Sequence, residues 1–540
     1  MKLVKVQIQN FRSIKDETFD VDDLCALIGP NNAGKSNILN ALSFLLGDTW
    51  PTTRPIDPAD FYAYSDKDLV ITVWFDEERE VRGDVGDPVK FKGIQFKIDR
   101  YKVKHGKKQA GDLKSSFLCI DATGQPVKVL KRPNPNAKPY PTPALVTNEI
   151  RDELPVVMID VDRNARYHLS GSSRSIFGRL LADVAKGLKA DAARFAEFET
   201  KFNEARKLLR TPGYEALESK IAEQLKKHTG LENISLQLDG LDPINLYKNF
   251  SILFKDADSP EVVDSERMGS GVQSALVMSL LQAYRELRKE NALLLFEEPE
   301  LYLHPHGRRH LFRLLRELAA SGVQTIYTTH SQDFLDLESL ESIRVVTKTV
   351  ETGTVVAKPD LTKVKGEWKK RVKHISEPKN EVFFAKRVIV VEGPTERLSI
   401  RKLAEMMPDG LELDHCDCSV IEAGGKTAIP TLITIMSALA KPVYAVYDTD
   451  SDKTDTADQA TNAKWEKEIT GACSAHGEAK TWRCDPCFEA EADIADPRKS
   501  DKPERMLEHL ESYSNWNEVP EKLRKMMQEI KEFAKGRERG

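Results

Sequence analysis

The sequence predicts an α/β protein built as a P-loop nucleotide-binding domain that carries a helical insertion, followed by a second α/β domain. Three observations predict it. First, Gly29-Pro30-Asn31-Asn32-Ala33-Gly34-Lys35-Ser36 reads G-x-x-x-x-G-K-S. It stands between an apolar run, Leu24 to Ile28, and a helically spaced run, Asn37 to Leu46, that stops at Gly47. This is the strand–loop–helix context the motif requires. Second, the apolar stretch Leu293-Leu294-Leu295-Phe296 ends in adjacent carboxylates, Glu297 and Glu298. Third, strand–helix alternation restarts beyond residue 376, where two further apolar strands each end in acidic residues.

Composition bounds the rest. A chain of 540 residues is too long for one core. Its 40% apolar and 31% charged content is that of an ordinary soluble protein. The 80 basic and 85 acidic residues give a net charge of −5, so nucleic-acid binding must come from local basic patches. Seven cysteines are few and odd in number, which argues against a disulfide framework and for a reducing compartment. There is no secretory leader pattern and no apolar run long enough to span a membrane, so a cytoplasmic address and no membrane partner are expected.

In chain order, strands are expected at Leu3 to Ile8, Leu24 to Ile28, Leu69 to Phe75, within Lys90 to Val103, and at Leu154 to Asp160. Asp57 to Tyr64 and the Pro- and Lys-rich Lys128 to Pro143 read as loops. Ser173 to Thr229 has helical spacing broken at Thr211-Pro212-Gly213 and reads as two helices, forming either a dimerisation arm or a pair packed on the main domain. Strands follow at Ile234 to Leu238, Ile252 to Phe254, Ala292 to Phe296 and Thr325 to Tyr327, with helices from Gly271 to Leu287 and His310 to Ala320. The basic stretch Lys363 to His374 behaves as a linker. Beyond it, strands Val388 to Val391, Ser419 to Ile421 and Val443 to Tyr447 alternate with helices Glu396 to Met406 and Pro430 to Leu439, and Glu504 to Lys535 reads as a charged helical tail. The expected division is 1–165 and 231–375 for the two parts of the nucleotide-binding domain, 166–230 for the insertion, and 376–540 for the second domain.

The chemistry follows from residue types. In the P-loop, backbone N–H groups from Asn31, Asn32 and Gly34, together with the helix N-terminus at Ser36 and Asn37, would cradle phosphate oxygens of ATP. Lys35 would reach the β/γ-phosphates, and the Ser36 hydroxyl would sit on Mg²⁺. Glu297 would hold that ion through water, and Glu298 would polarise the attacking water. His330, in Thr329-His330-Ser331 after the Thr325 to Tyr327 strand, is placed to bond a γ-phosphate. In the second domain, Glu392 and Glu396 flank one strand–turn–helix, while Asp448 and Asp450 follow the next strand. Parallel strands deliver such groups to one C-terminal sheet edge, and oxygen ligands suit Mg²⁺ or Mn²⁺.

Gly269-Ser270-Gly271-Val272-Gln273 resembles the ABC-type signature, in which Ser270 and Gly271 would bind the γ-phosphate held by another protomer. With Asn10-Phe11-Arg12, the P-loop, Glu298-Pro299-Glu300-Leu301-x-Leu303-His304-Pro305 and Thr328-Thr329-His330-Ser331, the chain resembles the SMC/RecF-like branch of ABC ATPases. No glutamine is assigned to the Q-loop. The Glu392 to Glu396 and Asp448 to Asp452 stretches resemble a TOPRIM domain. An ABC ATPase followed by TOPRIM is the layout of the OLD (overcoming lysogenisation defect) nuclease family, which includes the nuclease subunit of the Gabija anti-phage system. That resemblance implies an ATP-regulated, divalent-metal-dependent DNA endonuclease or nickase acting in defence. It also implies a homodimer or higher homo-oligomer, with DNA and a defence-system protein or nucleic acid as partners. It carries over a later acidic motif and a lysine. Glu489 would complete a second metal site with Glu491 beside it, and Lys502 would stabilise phosphate charge, with Asp493 and Lys499 as neighbouring competitors. The rival reading is a non-nucleolytic ATP-driven DNA clamp. Cys473, His476, Cys484 and Cys487 have spacing compatible with zinc, or are reduced thiols near the acidic cluster. Basic stretches at 102–108, 128–138 and 363–373 are solvated faces unless they share a surface that tracks DNA phosphates.

Overall fold

The computed structural model describes all of the chain except residues 48, 104–108, 161–164, 173–174, 209–210, 230–248, 256–261, 289–291, 302, 365–379, 495–500 and 537–540. The first part supplies strands β1 (Leu3–Phe11), β2 (Ile14–Asp20), β3 (Leu24–Ile28), β4 (Leu69–Val81), β5 (Val89–Arg100), β6 (Leu113–Ile120), β7 (Lys128–Lys131), β8 (Tyr140–Pro143) and β9 (Val156–Ile159). The middle supplies β10 (Leu253–Lys255), β11 (Val262–Asp264), β12 (Ala292–Glu297), β13 (Val323–Thr328), β14 (Ile343–Thr349) and β15 (Gly353–Ala357). The last part supplies β16 (Arg387–Val391), β17 (Cys418–Glu422), β18 (Val443–Asp448) and β19 (Ala479–Cys484).

The central sheet has the order β15-β14-β3-β13-β12-β9 and is parallel except for the β14–β15 hairpin. Every residue of β12 and β13 is buried, as in parallel strands covered on both faces. The two-residue period of β12 sorts its side chains. Leu293 and Leu295 join Ile38, Leu39 and Leu42 of the P-loop helix Lys35–Leu46. Leu294 and Phe296 join Leu311, Leu315 and Leu318 of the helix Pro305–Ser321.

The strands expected near the N-terminus form a separate antiparallel sheet, β2-β1-β4-β5-β6, whose inner residues Val6, Ile8, Ile71, Val73 and Phe96 close the same core as the P-loop helix. Gln324, fully buried in β13, ties the two sheets. Its Oε1 accepts the Leu3 N–H at 2.8 Å, and its Nε2 donates to the carbonyls of Leu3 at 2.7 Å and Asp22 at 3.2 Å.

Several expectations need correction. Lys128 to Pro143 contains the β7–β8 hairpin, with Val129 buried beneath it, and is not a plain loop. The insertion has three helices, Ile176–Ala190, Ala192–Leu208 and Pro212–Thr229, because Asp191 breaks the first run as well. The first helix packs inward through Ile176, Leu181 and Ala185; no described residue of the other two is buried. The helix expected from His310 starts at Pro305, where proline suits the first turn. Glu504 to Lys535 is two helices, Lys502–Glu511 and Glu521–Lys535, and neither is a tail. Leu523, Met526, Met527, Ile530 and Phe533 line one face of the second and complete the core around Tyr444 and Phe488. The expected strand Ile234 to Leu238 and most of the linker Lys363 to His374 lie outside the described residues.

The C-terminal sheet, β17-β16-β18-β19, is parallel throughout. Its core runs on into that of the central sheet. Phe334, Leu340 and Ile343 share one apolar cluster with Phe383, Ile433 and Leu439. Polar ties reinforce this seam, with Asn380 Nδ2 donating to the carbonyls of Gln332 at 3.0 Å and Leu335 at 2.9 Å. No described helix is long and apolar enough to cross a membrane.

Replacing Gln324 with Leu keeps the volume but strands the Leu3 amide and carbonyl in the core. Thermal or denaturant unfolding should show a loss of about 1–3 kcal/mol. A loss no larger than that of an exposed-surface substitution would mean that the two sheets hold together without this tie.

Candidate active sites

The P-loop bends where its sequence allows. Gly34 adopts φ 103° at the start of the helix, and a Cβ there would meet Thr354 Oγ1 at 2.2 Å. Thr354 donates to the Ala33 carbonyl and pairs with Ser13 Oγ, each at 2.8 Å, so the β1–β2 turn and β15 brace the loop from behind. Asn31 and Asn32 are exposed at the loop tip, Ser36 is half-buried, and Lys35 is buried with its Nζ folded onto the carbonyls of Gly29 and Pro30 at 3.0 Å each. Asn37, near the start of the same helix, also takes part through its side chain. Its amide donates to Ser13 Oγ at 2.7 Å, which makes it part of the brace.

Glu297 closes β12 and is buried; Glu298 follows at φ 45°, an uncommon conformation for a non-glycine residue, held by a bond from its N–H to Thr328 Oγ1 at 3.1 Å. His330 Nε2 stands 4.0 Å from Glu298 Oε1. Burial lowers the Lys35 pKa while Glu298, Glu300 and Glu297 oppose that shift, so all three carboxylates surround the lysine. Burial, then Lys35, also lowers His330. The P-loop, both β12 carboxylates and the histidine therefore share one edge of the central sheet.

Glu300 is a site residue that the sequence did not distinguish. Its Oε1 accepts the His330 N–H at 2.6 Å and the Thr329 hydroxyl at 2.9 Å, while its buried Oε2 has no hydrogen-bond partner. An orphaned carboxylate oxygen beside a lysine and a backbone cradle fits a site made for a nucleotide and its cation. A cavity of about 450 Å³ opens here, lined by Glu298, Glu300, Arg308 and His330 among others. At the signature, a helix runs from Ser270 to Arg288 and buried Gln273 donates to the Ser265 carbonyl at 3.1 Å. Gly271 lies against Leu303, and the Ser270 side chain lies outside the described residues.

At the C-terminal sheet, Val391 of β16 pairs with Val446 of β18, which brings Glu392 and Asp448 to the same edge. Glu392 Oε2 accepts the Asp448 N–H at 3.4 Å. Glu396, one turn into the helix Pro394–Met406, caps it by accepting the Gly393 N–H at 2.9 Å. Asp448 Oδ1 accepts the Phe488 N–H at 2.9 Å, so the acidic segment after β19 is drawn onto β18. Lys502 Nζ then meets Glu489 Oε1 at 3.0 Å. Asp450, at φ 54°, pairs with buried Lys426 at 3.1 Å. The turn that delivers Lys426 needs Gly425 at φ 122°, and its N–H is held by the Glu392 carbonyl at 2.9 Å.

The electrostatics match this crowding. Burial, reinforced by Glu396, Glu392 and Glu489, pushes Asp448 up to about 8. Burial with Glu392 and Glu489 nearby takes Glu396 to about 7, and burial also raises Glu392. Burial works against the charge on Lys502, but Glu489 and Asp448 outweigh it and raise its pKa. Glu489 Oε2 is buried without a partner. Buried oxygen donors that repel one another, with one oxygen left open, fit a divalent cation.

Two expectations change. Glu491 is engaged elsewhere, accepting from Trp482 Nε1 at 3.0 Å and the Asp485 N–H at 3.2 Å with Lys522 at 3.6 Å, so it orders the segment behind Glu489. The zinc set does not assemble. His476 has Nε2 on the Lys441 carbonyl at 2.8 Å and Nδ1 near the Glu478 N–H at 3.3 Å, and Cys484 is sealed in the core. Among the described residues the group with metal-ligand spacing is Asp448, Cys487 and Glu489. Asp493 is a positive-φ turn residue, and Lys499 lies outside the described residues.

Comparison with known proteins agrees with both sites. Residues 1–141 and 155–335 match the AAA ATPase domain, and residues 383–450 match the overcoming lysogenization defect protein-like TOPRIM domain. The chain is 30% identical to the OLD nuclease of Thermus scotoductus over 99% of both chains. It is 24% identical to the Old nuclease of Escherichia phage P2, over 83% of this chain and 77% of that one. It is 26% identical to the endonuclease GajA of Bacillus cereus, over 39% of this chain and 34% of that one. With an AAA ATPase domain match, a TOPRIM domain match and full-length similarity of this extent, the chain belongs to the OLD family of ATP-dependent nucleases.

Proposed function

We propose that this enzyme is a metal-dependent DNA endonuclease or nickase whose cutting is gated by ATP, and that it serves in defence against phage. The observation that carries the reading is the convergence of Glu392, Glu396, Asp448 and Glu489 with Lys502 at one sheet edge. Relatives named as OLD nucleases and as the endonuclease GajA support phosphodiester cutting, and DNA as substrate and the defence role follow from the resemblance to the family that includes the Gabija nuclease subunit. Mg²⁺ or Mn²⁺ would supply a polarised water and charge stabilisation at the scissile phosphate. Asp448, Glu489 and Glu392 hold the ion, Glu396 and Asp450 set the surrounding negative field, and Lys502 neutralises phosphate charge. Lys426 keeps Asp450 aligned.

At the other site, Lys35, Ser36 and the P-loop amides bind ATP, with Glu297 and Ser36 on its Mg²⁺. Glu298 orients the water and His330 reads the γ-phosphate. Glu300 fixes the His330 backbone, so phosphate loss and the position of the following turn are linked. That turn, Gln332–Phe334, is the one clasped by Asn380, which opens the turn Asn380–Phe383 that leads into β16 and Glu392. The exposed helices 192–208 and 212–229 serve self-association into a dimer or larger assembly, in which the Ser270–Gly271 signature of one copy faces the nucleotide of another.

Nicking of supercoiled plasmid should separate these roles. Glu392→Gln with Asp448→Asn should lose cutting in Mg²⁺ or Mn²⁺ by roughly 100-fold or more while ATP turnover persists. Lys35→Ala should lose ATP turnover with its melting temperature intact. Full cutting by the double variant would refute this nuclease site, whereas a wild type that nicks in no metal would put the clamp reading in its place. Asn380→Ala should hydrolyse ATP normally, yet its nicking rate should no longer respond to nucleotide. An unchanged nucleotide response would exclude this clasp as the route between sites.

A further inference from the structure

The Asp448–Glu489 side of the cleft holds a third donor that neither the oxygen-ligand pattern nor the TOPRIM resemblance calls for. Cys487 Sγ, an Asp448 oxygen and a Glu489 oxygen all lie within 4.8 Å of one another, and the three residues are 0%, 7% and 3% exposed. The arrangement is built by the backbone. The Phe488 N–H donated to Asp448 Oδ1 at 2.9 Å pins the Cys487–Phe488 peptide against the end of β18. A second, independent feature points inward: Glu489 places one oxygen on Lys502 at 3.0 Å and leaves Oε2 buried with no partner. The thiol stands at the head of the short turn Phe488–Glu491, beside the Ala490 N–H and the Glu489 carboxylate.

We propose that Cys487 Sγ is a further metal ligand, and that the Asp448–Glu489 position is a mixed sulfur–oxygen site that takes a thiophilic transition-metal ion more tightly than the Mg²⁺ or Mn²⁺ of the reading above. The inference rests on the metal-site reading above and adds the identity of the ion. Mg²⁺ favours oxygen donors and keeps its waters, whereas Zn²⁺ and its softer relatives accept thiolate together with carboxylate. Binding forms one sulfur–metal bond and releases the thiol proton to solvent, with no change of oxidation state. Cys484, three residues earlier, stays out of the group, so the Cys-x-x-Cys spacing is not what makes this site.

The test uses metal-stripped full-length protein with Cd²⁺ and Co²⁺ as probes, read by the ultraviolet thiolate-to-metal charge-transfer band. Mn²⁺ binding is followed separately by the spin-resonance signal of the free ion. Wild type and Cys484→Ser should show the band, and Cys487→Ser and Cys487→Ala should lack it. Cys487→Ser should lose roughly tenfold or more in Cd²⁺ affinity and keep its Mg²⁺ affinity. A band that survives in Cys487→Ser, or no band in wild type, overturns the proposal, the latter without relying on any variant. Asp448→Asn distinguishes the two levels. If it abolishes Mn²⁺ binding while wild type gives no Cd²⁺ band, the carboxylate site stands and only the sulfur ligand falls. If Mn²⁺ binding is untouched by Asp448→Asn, the metal-site reading fails and the proposal with it.

Discussion

Repulsion among buried carboxylates is the constraint around which the C-terminal domain is organised. Glu392, Glu396, Asp448 and Glu489 come from three different segments; burial makes the first three harder to ionise, and the neighbouring carboxylates add to that at Glu396 and Asp448. Such a group is tolerated in a core only when protons or cations balance it. Lys502 and Lys426 supply part of that balance through Glu489 and Asp450. The surrounding fold holds the acids together against their repulsion: parallel pairing of β16 with β18 fixes two of them, a helix cap fixes the third, and the Asp448–Phe488 hydrogen bond draws in the fourth.

The nucleotide site is built on the same plan one sheet away. A fully buried strand ends in carboxylates, and the next residue or two adopts a left-handed conformation: Glu298 after β12, Asp450 after β18. In both places that backbone geometry turns a side chain back across the sheet edge. Sheets of parallel strands concentrate ligand chemistry at this edge because all C-terminal ends arrive there together. The apolar cluster shared by Phe334 and Phe383, with the Asn380 clasp, makes the two edges parts of one packed body.

Much of this was legible from residues alone. Gly29 to Ser36 between an apolar run and a helical one, the strand ending at Glu297-Glu298, and Thr329-His330-Ser331 each carry their context within a dozen residues. The antiparallel N-terminal sheet was legible only as separate strands, because its pairings join residues far apart in the chain, such as Val6 with Val73. The helix Glu521–Lys535 looked like a solvated tail because charged residues outnumber its apolar ones. The apolar face that completes the C-terminal core becomes evident only once Tyr444 and Phe488 are beneath it. Glu300 stood within the Glu298 to Pro305 motif without a role, since burial and a partner at residue 330 are what give it one.

Local chemistry in the sequence thus determined the class of the protein: a phosphate-binding loop with its acidic strand, then a second set of strands ending in acids. Those features depend on short spacings and on strand periodicity, which the chain carries within itself. Tertiary structure alone decided which acids meet. It put Glu489 on Lys502 and Glu491 on Trp482, drew the Asn37 side chain into bracing the P-loop, dispersed the apparent zinc ligands and placed Cys487 beside Asp448. Those outcomes turn on where a side chain points after distant segments pack, and on which partner reaches it first.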